Sequence, residues 1–85
     1  MNAPEPSSGH RLHLADVEAG KTVRLVGVEH GSALRMRLMA MGLTPGVLVR
    51  VIQRVNGGPC IVAVRGTRVA LGRGMLDRIC VENLE

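Results

Sequence analysis

Not one residue of this chain is Phe, Tyr or Trp. Any core must therefore be assembled from Val, Leu, Ile, Met and Ala, and short branched side chains of this kind suit strands and a compact barrel. With 85 residues, 46% of them hydrophobic, there is material for one core and not for two, since folding at this size removes only roughly 60–65% of the surface the unfolded chain exposes. Two cysteines, Cys60 and Cys80, are too few for a secreted disulfide framework, and the N-terminus has neither the charged nor the apolar region of a signal peptide. A reducing cytosol is the expected setting. Arg and Gly interrupt every hydrophobic run before the ~18–20 apolar residues needed to span a bilayer, so a membrane is expected to matter only through a partner.

Residues 1–11 carry Pro, Ser and Gly without an apolar run or a periodicity, the composition of a disordered tail; the folded domain is expected over residues 12–85. Leu12 and Leu14 lead through a turn at Ala15–Gly20 into a first strand at about Thr22–Val28, with Val23 and Leu25 on one face and Arg24 on the other. Ser32 is placed to cap a helix over about residues 33–41, where Leu34, Leu38 and Met41 repeat at the spacing of a buried stripe, Gly42 suits the position after the helix and Pro45 blocks continuation. Val47, Val49 and Val51 then alternate with Leu48, Arg50 and Ile52, a strand with both faces partly apolar and so a central one. After the Asn56-Gly57-Gly58-Pro59 loop come Cys60–Arg65, a turn at Gly66-Thr67 and Arg68–Leu71, which together read as a hairpin. A single helical turn fits Gly72–Asp77, and a last strand fits Ile79–Val81. Five short strands, one short helix and no βαβ spacing predict a mainly-β chain folded as a small, strongly bent antiparallel barrel.

The chemistry-bearing residues point to binding. Catalysis needs a nucleophile or acid–base group held beside partners that shift its pKa; the seven acids are scattered, and no motif places a Ser or Cys beside one of the three His. No enzyme and no required cofactor are expected. His10-x-x-His13 could present two imidazoles to a divalent transition metal, with a carboxylate from a second chain as a further ligand, although a His pair near a chain end is more often merely solvated. Cys60 reads as core and Cys80, on the opposite strand parity, as outward-facing. Ten Arg and one Lys against seven acids give a formal charge of +4, which could attract nucleic acid, acidic lipid or an acidic protein. Nonspecific nucleic-acid binding is the alternative function, weakened by the lack of any aromatic stacking platform. On the helix, Arg35, Met36, Arg37 and Met39 lie off the buried stripe and form the candidate partner surface, Met being adaptable at such sites; the plain alternative is that the two Met close the barrel end. Arg65, Arg68 and Arg73 offer a second basic surface.

Arg37-Leu38-Met39-Ala40-Met41-Gly42-Leu43-Thr44-Pro45-Gly46 resembles the Arg-Leu, Gly and Pro-Gly pattern of FeoA domains. Gly20 before the first strand, Pro59 before Cys60–Val64, and the segments Val69-Ala70-Leu71 and Ile79-Cys80-Val81 follow the family in the same order, so the resemblance covers about residues 12–84. Gly72-Arg73-Gly74 departs from it, at a point where family members more often continue the strand with a charged residue. The resemblance implies an SH3-like barrel and a cytosolic accessory protein of bacterial ferrous-iron uptake. Its implied partner is FeoB, a membrane iron transporter with a GTPase domain, which would hold it peripherally at the inner membrane. It leaves open a homodimer and a metal-responsive role, and gives Arg37 a buried structural alternative. Metal-dependent repressors share a similar barrel but add a helical DNA-binding portion that this chain is too short to hold.

Overall fold

The computed structural model describes residues 11–29 and 31–84; of the tail expected over residues 1–11, only Arg11 is among them. Six strands, β1 (Arg11–His13), β2 (Thr22–Val28), β3 (Leu48–Arg54), β4 (Cys60–Val64), β5 (Thr67–Leu71) and β6 (Ile79–Asn83), form one antiparallel sheet in the order β1-β6-β2-β3-β4-β5. Helix α1 (Ser32–Ala40) joins β2 to β3, and the short α2 (Arg73–Leu76) joins β5 to β6. The mainly-β antiparallel architecture is as expected, with one strand more than the five read from the sequence. The extra one is β1, whose three residues pair as Arg11↔Glu82, Leu12↔Val81 and His13↔Cys80. A strand that short spans barely one alternation, so no period marks it. A 3-10 turn at Leu14–Asp16 follows it directly.

Alternation places one face of each strand inward. Val23 and Leu25 of β2, Val49 and Val51 of β3, Val62 of β4 and Ile79 and Val81 of β6 are essentially inaccessible, and Leu14, Leu38, Leu43 and Leu71 join them. No polar or charged residue is buried among the described residues. Two bulges bend the sheet around this core. Between the pairs Leu25↔Val81 and Gly27↔Cys80, Val26 is an additional residue on β2; between Val51↔Val62 and Gln53↔Ile61, Ile52 is additional on β3. Each extra residue locally increases twist and curvature.

Helix α1 lies where the leucine stripe puts it, with Leu34 and Leu38 buried and Met41 packed against the core. Its C-terminus closes as a Schellman motif: the Gly42 N–H donates to the Met39 carbonyl at 3.0 Å and the Leu43 N–H to the Leu38 carbonyl at 2.9 Å. Its N-terminus differs from expectation. Gly31 is the N-cap, with φ 125° and no side-chain cap bond, and Ser32 is already helical; the chain enters the helix through a conformation that only glycine adopts readily. The β4–β5 turn also shifts by one residue. It is Arg65-Gly66, with φ 52° and 81°, the positive pair of a type I′ hairpin turn that matches the twist of the flanking strands, and Thr67 already belongs to β5.

Candidate functional site

Because Leu34 and Leu38 turn inward, the residues about half a turn away must face solvent. Met36 is 68% exposed and Met39 47% exposed, and Arg35 and Arg37 are exposed beside them. The methionines therefore do not close the barrel end, and Arg37 is not a buried structural residue. Met36 and Met39, three residues apart, are neighbours on the helix surface. The four residues together form a continuous apolar and cationic face. Arg65, Arg68 and Arg73 are likewise exposed, on the β4–β5 hairpin and α2 and separate in sequence from this face.

Arg54, at the end of β3, behaves differently from these arginines. Its Nη1 donates to the Val17 carbonyl at 2.7 Å and the Leu14 carbonyl at 3.3 Å, and its Nη2 to the Ala15 carbonyl at 2.8 Å. The Ala15 and Val17 carbonyls, and that of Leu14, which also accepts from the Val17 N–H at 3.1 Å, are thus gathered by one guanidinium. A surface cleft of about 420 Å³ opens beside it, lined among others by Arg54, Asn56, Pro59, Cys60, Arg73 and Asp77. The clamp turns the Arg54 guanidinium toward backbone carbonyls, and Arg73 is the other cationic residue of the lining. Cys60 is buried, and burial pushes its thiol above its ordinary value while the charge of Arg54 works in the opposite direction. A thiol held protonated in this way is a weak nucleophile and a weak ligand.

The other cysteine has different company. Antiparallel pairing sets His13 of β1 directly opposite Cys80 of β6, so both side chains stand on one face, and Cys80 is only partly buried, as its parity predicts. On the other side of β6, the Glu29 N–H donates to the Arg78 carbonyl at 2.7 Å, carrying the β2–β6 ladder one residue past the strand. The Glu29 carboxylate reaches the His13 Nε2 at 3.2 Å. The structure thus places His13, one of the two predicted metal ligands, with Glu29 and Cys80; His10 lies outside the described residues. Neither Glu29 nor Cys80 was singled out as a ligand from the sequence, because their meeting depends on strand register and on the β2 bulge. The outward parity of Cys80 was the only local hint.

A family model described as the FeoA domain matches residues 12–83. The chain belongs to the FeoA family. A protein of Methanocaldococcus jannaschii named as an Fe(2+) transport protein A is 35% identical over 72 residues, which is 85% of this chain and 87% of that protein. Among solved structures, the crystal structure of an iron uptake regulatory protein, FeoA, is 33% identical, covers 86% of this chain and 97% of its own, and superposes with a TM-score of 0.80. The FeoA of Stenotrophomonas maltophilia, crystallised with zinc and described as a prokaryotic SH3 domain protein, is 28% identical with a TM-score of 0.72 over 82% of this chain and 88% of that one. These likenesses bear out the SH3-like architecture of this FeoA chain, and no helix among its described residues is long and apolar enough to cross a membrane.

Proposed function

We propose that this FeoA chain is a cytosolic accessory protein of ferrous-iron uptake that docks on the cytosolic part of a FeoB-like GTPase transporter and acts by binding, without a catalytic step. The observation that carries the reading is the outer face of α1, where Met36 at 68% and Met39 at 47% exposure stand beside Arg35 and Arg37. Large apolar side chains gain most when a partner removes them from water, and flanking arginines add charge-assisted bonds to acidic groups. Membership of the FeoA family supports the choice of partner. Through it the protein would sit peripherally at the inner membrane. Regulation then requires unequal affinity for two transporter states, since a partner that binds both equally shifts nothing.

The test is a pull-down of the full chain on the cytosolic domain of the FeoB encoded in the same genome, in the nucleotide-free, GDP and GTP-analogue states, with the double variant Met36→Glu/Met39→Glu alongside. Binding in at least one state, weakened tenfold or more in the variant, is expected. No binding in any state overturns the reading and returns weight to nonspecific attraction of nucleic acid by the basic surface.

A further inference from the structure

We infer that His13, Glu29 and Cys80 form a three-ligand site for a borderline divalent transition metal, of the Zn²⁺ or Fe²⁺ class, on the outer face of the sheet. One ligand atom from each, an imidazole nitrogen, a carboxylate oxygen and the thiol sulfur, lies within 4.8 Å of the other two. Ligands around a tetrahedral ion at ordinary metal–ligand lengths stand about 3.3–3.8 Å apart, so small side-chain rotations bring all three into reach. The set combines soft, intermediate and hard donors, which suits Zn²⁺ or Fe²⁺ better than Mg²⁺ or Ca²⁺. With the thiol deprotonated, a thiolate and a carboxylate balance the two charges of the ion, and the imidazole binds neutral. Three protein ligands leave a coordination position for water or for a donor from another molecule. His13 and Glu29, 41% and 45% exposed, keep that position accessible.

Backbone geometry holds the three residues in place. His13 and Cys80 are fixed as a cross-strand pair, and the His13 N–H donates to the Asp16 Oδ2 at 3.2 Å, tying the ligand strand to the 3-10 turn. Glu29 depends on the bulge. Had β2 continued regularly from the Leu25↔Val81 pair, alternation would turn Glu29 to the core side. With Val26 as the extra residue, Val28 pairs with the buried Ile79 and Glu29 faces outward with Cys80. The β2 residue opposite Cys80 is Gly27, which has no side chain to compete for space beside the thiol.

Cobalt(II) is the probe, because a thiolate ligand gives it a near-ultraviolet charge-transfer band and a four-coordinate site gives strong visible bands. Titration of the full chain under reducing conditions is expected to saturate at one Co²⁺ per chain with both features, and Zn²⁺ should bleach them. Cys80→Ser should abolish the charge-transfer band, and His13→Asn and Glu29→Gln should each weaken binding by about tenfold or more, with the circular dichroism of all three unchanged. His10→Ala and Cys60→Ala should retain the band. A wild-type chain without a thiolate band, a band that survives in Cys80→Ser, or full affinity in His13→Asn overturns the assignment. The assay uses no transporter, so its outcome is independent of the docking experiment.

Discussion

The 3-10 turn at Leu14–Asp16 and helix α1 are both short helical segments laid against one sheet, and each sends leucine into the core, Leu14 from the turn and Leu34 and Leu38 from the helix. Their polar groups have different uses. The carbonyls of Leu14, Ala15 and Val17 are consumed internally by Arg54, whereas the arginines of α1 stand exposed beside two exposed methionines. The chain is rich in arginine; Arg54, though at the surface, bonds to three backbone carbonyls, whereas Arg35 and Arg37 project from the exposed face of α1.

The sharpest way to test this division is within α1 itself. Leu38 is fully buried, and Leu38→Ala should cost about 3–4 kcal/mol, the transfer loss plus the cavity left behind; in a domain this small that removes a large share of the total stability. Urea unfolding followed by far-ultraviolet circular dichroism would show it as a midpoint displaced strongly downward or as a chain already unfolded. Next in size is Arg54→Ala. It removes the Arg54 donors from the Ala15 and Val17 carbonyls and one of two donors from that of Leu14, and should cost about 2 kcal/mol, a fall in Tm of roughly 8–16 °C for a domain of this length. Arg35→Ala and Arg37→Ala should each stay within about 0.5 kcal/mol of the parent. Equal costs at all three positions would break the comparison.

A smaller effect separates the buried thiol from the partly buried one. Cys60 has a pKa raised above its ordinary 9.0 by burial, so above that pH the unfolded chain loses a proton that the folded chain retains. Fewer protons bound in the unfolded state means that stability falls as pH rises. The contribution is fully present below pH 9 and is lost on passing upward through the folded value. Unfolding midpoints measured from pH 8 to 10.5 should decline, and the Cys60→Ala variant should flatten that limb. Thiol labelling of the native protein should reach Cys80 well before Cys60.

Much of the fold was legible because local pattern carried it. The alternation from Val47 to Ile52, the Leu34–Leu38–Met41 stripe and the glycine after the helix each express a period or a backbone need contained in a few consecutive residues. The features that were missed are set by partners distant in sequence. Strand β1 exists because Val81 and Cys80 offer it a ladder, and Arg54 resembles any other surface arginine until it meets carbonyls 37–40 residues away; the one-residue shift of the hairpin turn is the local exception, fixed by the Val64↔Thr67 pair. The candidate ligands divide in the same way. His13 announced itself by its spacing from His10, while Glu29 and Cys80 join it only through the β1-β6-β2 register.

The bulge in β2 also bears on how such a chain can change length. A single-residue deletion inside a strand ordinarily turns every later side chain to the opposite face. Removing Val26 is an exception, because Gly27, Val28 and Glu29 would keep the partners they already have opposite β6. Descendants of this sequence can therefore lose a residue at this point while the chain beyond it stays in phase, whereas losing Arg24 or Leu25 would remove a paired position. Alignments of FeoA sequences should accordingly allow a gap in the middle of β2, where strand logic alone would forbid one.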